Sequence, residues 1–371
     1  MSALAKRLKT YDRTLAVAAG VLALAGFVLS LAASPAATAR TGYDEAFHFS
    51  LRQGAYTLAA IGVFAGAASL SAKGVRRVSL LIYMLCIALM VLVLFVGAET
   101  KGAQRWLHVG EFSLQPSEFL KPALIVLAAW MLAERSKTPA FPGLPIAGAL
   151  YALAAALLLK QPDVGQTALI GVTLTAMLFV SGVSWIWIVG VAAAGAALLL
   201  GLYVVDPHVT ARVNAFFDAG DAQPFQVARA LDAIRNGGAL GRGPGEGVFK
   251  LSLPDAQGDF IYSVAAEEFG LLASAGLIAL YALIGWRGLS RAQRLADPFA
   301  QLAASGLIVM FCLQAMIHIA VNLDLIPAKG MTLPLVSYGG SSMFGSAITL
   351  GFALALLRWR QGAYIYERQR G

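Results

Sequence analysis

Ten apolar runs, each close to the length of a membrane-spanning helix, determine the solvent in which this chain can fold. They lie near 14–33, 54–72, 78–96, 118–133, 145–159, 166–182, 185–205, 260–285, 300–321 and 344–357. A helix needs roughly 20 mostly apolar residues to cross the hydrocarbon of a bilayer, where only helices and closed barrels satisfy their own backbone. The spacing therefore predicts an all-α polytopic membrane protein of about ten transmembrane helices, with 145–159 and 344–357 short for a full span. Composition agrees: 58% hydrophobic and 13% charged residues, with a mean hydropathy of +0.72, leave too little polar surface for water.

Lys and Arg set the orientation. They gather in Lys6, Arg7, Lys9 and Arg13, in the alternate short loops holding Lys73, Arg76, Arg77, Arg135, Lys137, Arg287, Arg291 and Arg294, and in Arg358, Arg360, Arg368 and Arg370. The positive-inside rule puts these segments and both termini in the cytoplasm. Most of the formal net charge of +8 is thus a topology signal with an attraction for anionic lipid, and no nucleic acid is implied. The first run is longer than a signal-peptide core, so it reads as a retained span although Ala37-Thr38-Ala39 resembles a cleavage site. Cys86 and Cys312 fall in spans without metal-ligand spacing and read as small core residues.

The whole of 1–371 reads as one membrane domain whose outer segments, 34–53, 97–117 and 206–259, are longer than hairpins need. In the last, Pro224–Asn236 interleaves apolar positions with Arg229, Asp232 and Arg235 at helical spacing, the pattern of an amphipathic helix at a membrane surface.

Polar residues near the outer ends of spans are the candidates for chemistry. Asp259 stands where the eighth span begins, as an N-cap does, but Glu267 and Glu268 lie two turns deeper, where carboxylates are costly and mark a site or a paired partner. Arg105 and Trp106 precede Gln115-Pro116-Ser117-Glu118 and Lys121 at the mouth of the fourth span, with Glu118 and Lys121 placed to pair on one helical face. Lys160 to Thr167, including Asp163, forms a tight outer turn. Lys329 to Ser342 combines prolines, paired glycines and hydroxyls, Ser337 and Ser341 among them, as broken backbone inside a membrane protein does. With Arg212, Arg229, Arg235, Arg242 and Lys250, the outer cations suit an anionic substrate such as a lipid pyrophosphate. Gly241–Gly247 lacks the Gly-Lys-Ser/Thr ending of a P-loop, and no HExxH or Cys/His pairing points to zinc.

Several of these segments resemble one family in order along the chain. They are Arg105-Trp106, Gln-Pro-Ser-Glu-x-x-Lys (115–121), Gln-Pro-Asp-x-Gly (161–165), Gly-Arg-Gly (241–243), Leu-Pro-Asp-x-x-x-Asp-Phe (253–260), Glu-Glu-x-Gly (267–270) and Pro-x-Lys-Gly-x-x-Leu-Pro-x-x-Ser-Tyr-Gly-Gly-Ser-Ser (327–342). They are similar to the SEDS proteins of bacterial shape, elongation, division and sporulation, and more to the division branch than to the elongation branch. The resemblance implies a ten-span peptidoglycan glycosyltransferase that polymerises lipid II outside the cytoplasmic (inner) membrane, at the division septum. Its implied partners are a class B penicillin-binding protein and other divisome proteins. Asp259 takes the place of the family's essential acid, the implied general base. Arg212, Arg242, Lys121 and Lys329 are the cations that would meet the departing pyrophosphate. No cofactor is implied beyond a divalent cation, which lipid pyrophosphate chemistry often recruits. The chain departs from the family at Gln257-Gly258, where His-Thr is common, and at Asp255, where Glu is common. A lipid II flippase would use the same cavity and cations without a base. A different polytopic glycosyltransferase would use acids in the first outer loop, where Asp44 and Glu45 lie, and a pure scaffold would need neither.

Overall fold

The computed structural model describes residues 11–41, 45–100, 103–110, 112–217 and 225–358. Lys6, Arg7, Lys9, Asp44, Arg360, Arg368 and Arg370 lie outside the described residues. The chain runs α1 (Arg13–Thr41), α2 (His48–Ser69), α3 (Ala72–Val96), β1 (Ala98–Thr100), β2 (Ala103–Val109), β3 (Phe112–Leu114), α4 (Pro116–Lys137), α5 (Gly143–Lys160), α6 (Val164–Val180), α7 (Trp185–Val205), α8 (Pro207–Phe217), α9 (Phe225–Gly237), α10 (Ile261–Ala292), α11 (Pro298–Asn322) and α12 (Gly340–Leu356). The ten long helices follow the ten apolar runs in order. Among the described residues seven of them are long and apolar enough to cross a membrane by length and composition alone. Of the other three, α6 and α12 are apolar but only 17 residues long, and α2 opens on polar His48, Arg52 and Gln53. The run at 145–159, expected to be short, is extended by a turn and qualifies as α5.

The protein interior is built around α4 and α11. Nearly every residue of α4 from Pro116 to Ala129 is buried, on all faces, because α3, α5, α11 and α12 surround it. An all-round apolar helix behaves in this way at the centre of a bundle. At the opposite extreme, α7 buries none of its residues and touches mainly α6 and α8. Its exposed Trp185, Ile186, Val189 and Leu200 are the surface expected of a helix facing lipid.

Three outer segments differ from the sequence expectation. The first is mostly helix: α1 continues through Pro35 to Thr41 and α2 begins at His48. Hydroxyls fix this corner, with Ser34 Oγ donating to Ala46 O at 2.9 Å and Ser50 Oγ to Ser30 O at 2.7 Å. The second is an antiparallel meander, β1-β2-β3, turned between Val109 and Phe112 by Gly110 at a φ of 61°. The third holds α8 and α9. The apolar stripe of α9 (Val227, Ala230, Ala233, Gly237) is buried against α10, so it is taken up by protein and not by the membrane surface.

Between α11 and α12, residues 323–339 leave helical form within the protein, and Met331, Leu333, Leu335, Val336 and Ser337 are all buried. This stretch presses so closely on α1 that a Cβ at Gly26 would meet Leu335 O and Val336 O at 2.7 Å. Gly26→Ala should destabilise the protein by about 1–3 kcal/mol through overpacking, seen as a lower thermal midpoint in detergent. Gly190→Ala on lipid-facing α7, with nothing within 4 Å, should leave the midpoint unchanged.

Candidate functional site

Asp259 closes a tight turn that the rest of the outer half holds in place. Asp255 adopts a φ of 55°, and its carbonyl accepts the N–H of Gly258 at 3.0 Å and of Phe260 at 3.4 Å. The buried 331–342 stretch then grips the turn from one side: Ser337 Oγ donates to Gly258 O at 2.7 Å, and Tyr338 N to Gln257 O at 2.9 Å. From the other side Asn322, the last residue of α11, donates to Asp259 O at 3.0 Å. The Oδ1 of the same amide accepts Ser263 N at 3.1 Å and Ser263 Oγ at 2.8 Å, supplying the cap of α10. The N-cap position itself falls on Phe260, which makes no side-chain cap, and not on Asp259. Asp259 is half-buried, and its carboxylate lies beside Gly330, where a Cβ would meet Oδ2 at 3.0 Å.

The departure at Gly258 has a local physical correlate. A Cβ there would sit 3.0 Å from Asp255 Oδ1, so the shorter acid at 255 and the missing side chain at 258 fit one another.

Ser337 also accepts Leu333 N at 2.7 Å, and its carbonyl accepts Gln53 Nε2 at 3.3 Å. Side chains of two neighbouring spans, α10 and α11, satisfy other carbonyls of the stretch: Gln314 Nε2 donates to Thr332 O at 3.0 Å, Tyr281 Oη donates to Pro334 O at 2.7 Å, and His318 Nδ1 lies 2.7 Å from Met331 O. Ser341 ties the stretch to the mouth of α4, accepting Gln115 N at 3.0 Å and donating to Ser113 O at 3.2 Å.

Around this turn the cations and acids fall into three groups. Lys121 and Glu118 pair inside the bundle, Nζ to Oε1 at 3.0 Å, with Gln314 Oε1 at 2.8 Å from Nζ and Gln166 Nε2 at 2.9 Å from Glu118 Oε1. All four side chains are buried, as is Ser117, and the adjoining cavity measures about 10 Å³, room for a single water.

The second group joins the 161–165 turn to the meander. Arg105 Nε donates to Gln161 O at 2.9 Å, its Nη2 donates to Pro162 O, and its Nη1 lies 3.9 Å from Asp163 Oδ1. Burial raises the Asp163 carboxyl above the usual range, with Arg105 pulling it back down. Lys329 reaches this turn, its Cδ lying 3.6 Å from where a Cβ of Gly165 would be. Burial and the neighbouring charge of Arg212 hold its ammonium below the ordinary lysine range. Trp106 is half-buried on β2, while Lys160 and Arg212 are exposed.

Glu267 and Glu268 form the third group, and both are spent on the long outer loop. Glu267 Oε1 accepts Val248 N and Phe249 N, each at 2.8 Å, and Asn236 Nδ2 at 3.0 Å; its Oε2 accepts Lys250 N at 3.0 Å. Glu268 accepts Gly247 N at 3.2 Å, Gly245 N and the buried ammonium of Lys250. Gly270, at a φ of 79°, breaks the helix so that Glu267 O and Glu268 O can accept Arg242 N and Gly243 N at 2.9 and 3.0 Å. The exposed Arg242 side chain turns back onto Asn236, with Nη2 at 2.7 Å from Oδ1. Charge alone did not reveal Asn322, Gln314, Gln166 and Gln53. Amides inside apolar spans were their only signal, and such groups are kept where they find partners.

The chain is similar to known proteins along nearly its whole length. A family model described as a cell cycle protein, and named for FtsW, RodA and SpoVE, matches residues 12–361. A Caulobacter vibrioides protein named as a probable peptidoglycan glycosyltransferase FtsW is 51% identical over 355 residues, covering 96% of this chain and 91% of its own. A Geobacter sulfurreducens protein of the same name is 33% identical over 367 residues, covering 96% and 98%. Among solved structures, a chain of a peptidoglycan synthase complex that coordinates polymerization and crosslinking superposes with a TM-score of 0.76 at 26% identity, covering 94% of this chain and 97% of its own. The rod shape determining protein RodA of Thermus thermophilus superposes with a TM-score of 0.69 at 26% identity, covering 95% and 98%.

The loop clasp makes a direct prediction. Glu268→Gln strands the buried Lys250 ammonium and should cost about 3–5 kcal/mol. Lys250→Met in the same chain should recover a large part of that loss, and a double-mutant cycle on thermal unfolding measures the coupling.

Proposed function

This chain belongs to the family of cell cycle proteins that comprises FtsW, RodA and SpoVE, and from that premise we propose that it is a peptidoglycan glycosyltransferase polymerising lipid II during septal wall synthesis. One observation carries the assignment of the base: Asp259 is half-buried, fixed through its main chain on both sides, and set beside the Lys329-Gly330 loop and its neighbouring cations. A carboxylate so held can take the proton of an acceptor sugar 4-hydroxyl as the oxygen attacks the donor's anomeric carbon. The bond from that carbon to the undecaprenyl pyrophosphate breaks, and the leaving group departs with the electron pair. A pyrophosphate needs no proton to leave, so a single base suffices and the configuration inverts.

Lys329, exposed Arg212 and the Arg105–Asp163 turn supply positive charge on the side where the pyrophosphate charge grows. Glu118, Lys121 and Glu267 serve that site from behind, by fixing the elements that carry it, and Arg242 closes the outer loop. Among the described residues no group of three His, Cys, Asp or Glu side chains is placed to hold a metal ion, and no step here runs through one.

The protein lies in the bacterial inner membrane as a multi-pass single domain, both termini cytoplasmic, at the division septum. There it works with a class B penicillin-binding protein and other divisome proteins. A flippase needs a passage for a sugar-pyrophosphate headgroup. The bundle centre is instead filled by α4 and the Glu118–Lys121–Gln166–Gln314 network, with a cavity of about 10 Å³, which supports the enzyme over the transporter.

Purified protein with its transpeptidase partner should polymerise lipid II in detergent, where flipping has no meaning. Asp259→Asn should lower that rate by about 10²–10⁴-fold with an unchanged thermal midpoint, and an unimpaired, folded variant would sink the assignment. Lys329→Met should cost about ten-fold or more in the same assay.

A further inference from the structure

At the end of the bundle opposite Asp259, two arginines are held by one buried carboxylate at the mouth of an open cup. Asp12 caps α1, its Oδ1 accepting Leu15 N at 3.2 Å. Its other oxygen, Oδ2, lies 2.9 Å from the Nε of Arg287 and 2.9 Å from the Nε of Arg291. The carboxylate is 1% exposed, whereas the two arginine side chains are 37% and 34% exposed. One residue thereby uses both oxygens, and each guanidinium meets it through Nε. Arg287 and Arg291 are one helical turn apart on α10, so the two guanidinium groups lie side by side.

The cup they line measures about 400 Å³ and is completed by Tyr11, Asp12, exposed Arg13 and Thr14. Its wall is anchored: Tyr11 Oη donates to Ala68 O at 3.1 Å, and Arg358 lies 4.9 Å over the Tyr11 ring while bonding Leu70 O at 3.3 Å. Three arginines against one aspartate leave the cup with an excess of positive charge. Asp12 stands 20 residues before Ala32, about 30 Å along α1 at 1.5 Å per residue, and the Ala32 carbonyl accepts Lys250 Nζ of the outer loop at 3.1 Å. That distance carries the cup to the opposite membrane interface.

We propose that this cup is a binding site for a phosphate diester, the headgroup phosphate of an anionic phospholipid such as phosphatidylglycerol. Paired guanidinium edges match phosphate oxygens bidentately, and an arginine fixed at Nε loses little freedom on binding. A third donor, Arg13, begins α1 beside them. The apolar exposed faces of α1 above the cup, with Val17, Val21 and Leu24, give the acyl chains a surface continuous with it. Naming the leaflet as the cytoplasmic one rests on the orientation proposed above; the phosphate site itself does not.

The test uses the full chain in detergent and counts retained phosphatidylglycerol by native mass spectrometry over a lipid titration. Arg287→Gln/Arg291→Gln should weaken retention at least about ten-fold, and Arg287→Lys/Arg291→Lys, which keeps charge but not the fork, should fall between. Arg135→Gln/Lys137→Gln, removing a half-buried and an exposed cation elsewhere, should retain lipid like the wild type. If the double glutamine variant does not fold, each single arginine variant is read against the same control and should still retain less. Equal retention in folded arginine variants overturns the proposal. So does displacement of the lipid by millimolar inorganic phosphate, which would assign the cup to a soluble phosphate. Loss of glycan polymerisation by Asp259→Asn, or its survival, leaves this binding result untouched.

Discussion

Backbone that leaves helical form inside a membrane protein must find every hydrogen bond within the protein, and the stretch between α11 and α12 is where this chain meets that demand. Its carbonyls at Met331, Thr332, Pro334 and Ser337 are taken by His318, Gln314, Tyr281 and Gln53, from α11, α10 and α2. The same stretch hands on its own Ser337 hydroxyl and Tyr338 N–H to the turn that ends at Asp259. Satisfying broken backbone and positioning the acid are therefore one network. Each bond is worth little alone, but an unpaired group at that depth costs several kcal/mol, so the arrangement is strongly preferred over alternatives.

Charge inside the bundle follows the same logic. Lys250 and Glu268, and Lys121 and Glu118, are buried in pairs that also take amide or main-chain partners. The first fastens the outer loop onto α10, and the second fastens α4 to α6 and α11. Cations that keep exposure, Arg212, Lys160 and Arg242, lie on the same half as Asp259, alongside the largely buried Lys329. The molecule thus separates charges that hold the fold from charges that can meet an anionic substrate.

Much of this was legible in the sequence because a bilayer simplifies the problem. Apolar length marks a helix, so all ten runs became helices, and the polar interruptions at 115–121, 161–167, 253–268 and 327–342 fell together at one end. Roles were less legible than positions. Glu267 and Glu268 read as marking a site or a paired partner because carboxylates in spans are rare, but a sequence cannot show that six N–H groups from 236–250 return to them. The meander at 98–114 was hidden because its strands are three to seven residues long and carry no strict alternation. Asn322 was missed because an amide at a helix end looks like an ordinary terminus until its two partners, Asp259 O and Ser263, are seen across the gap.

The central claim is that Asp259 acts from a main chain held rigid by its neighbours, and Asn322 is the residue that touches that main chain directly. The decisive measurement is the lipid II dependence of polymerisation by Asn322→Ala, made on folded protein with its transpeptidase partner. A positional role predicts a fall in kcat of about ten-fold or more with KM little changed, because misplacing a catalytic group costs turnover before binding. A kcat equal to that of the unsubstituted protein would contradict the account.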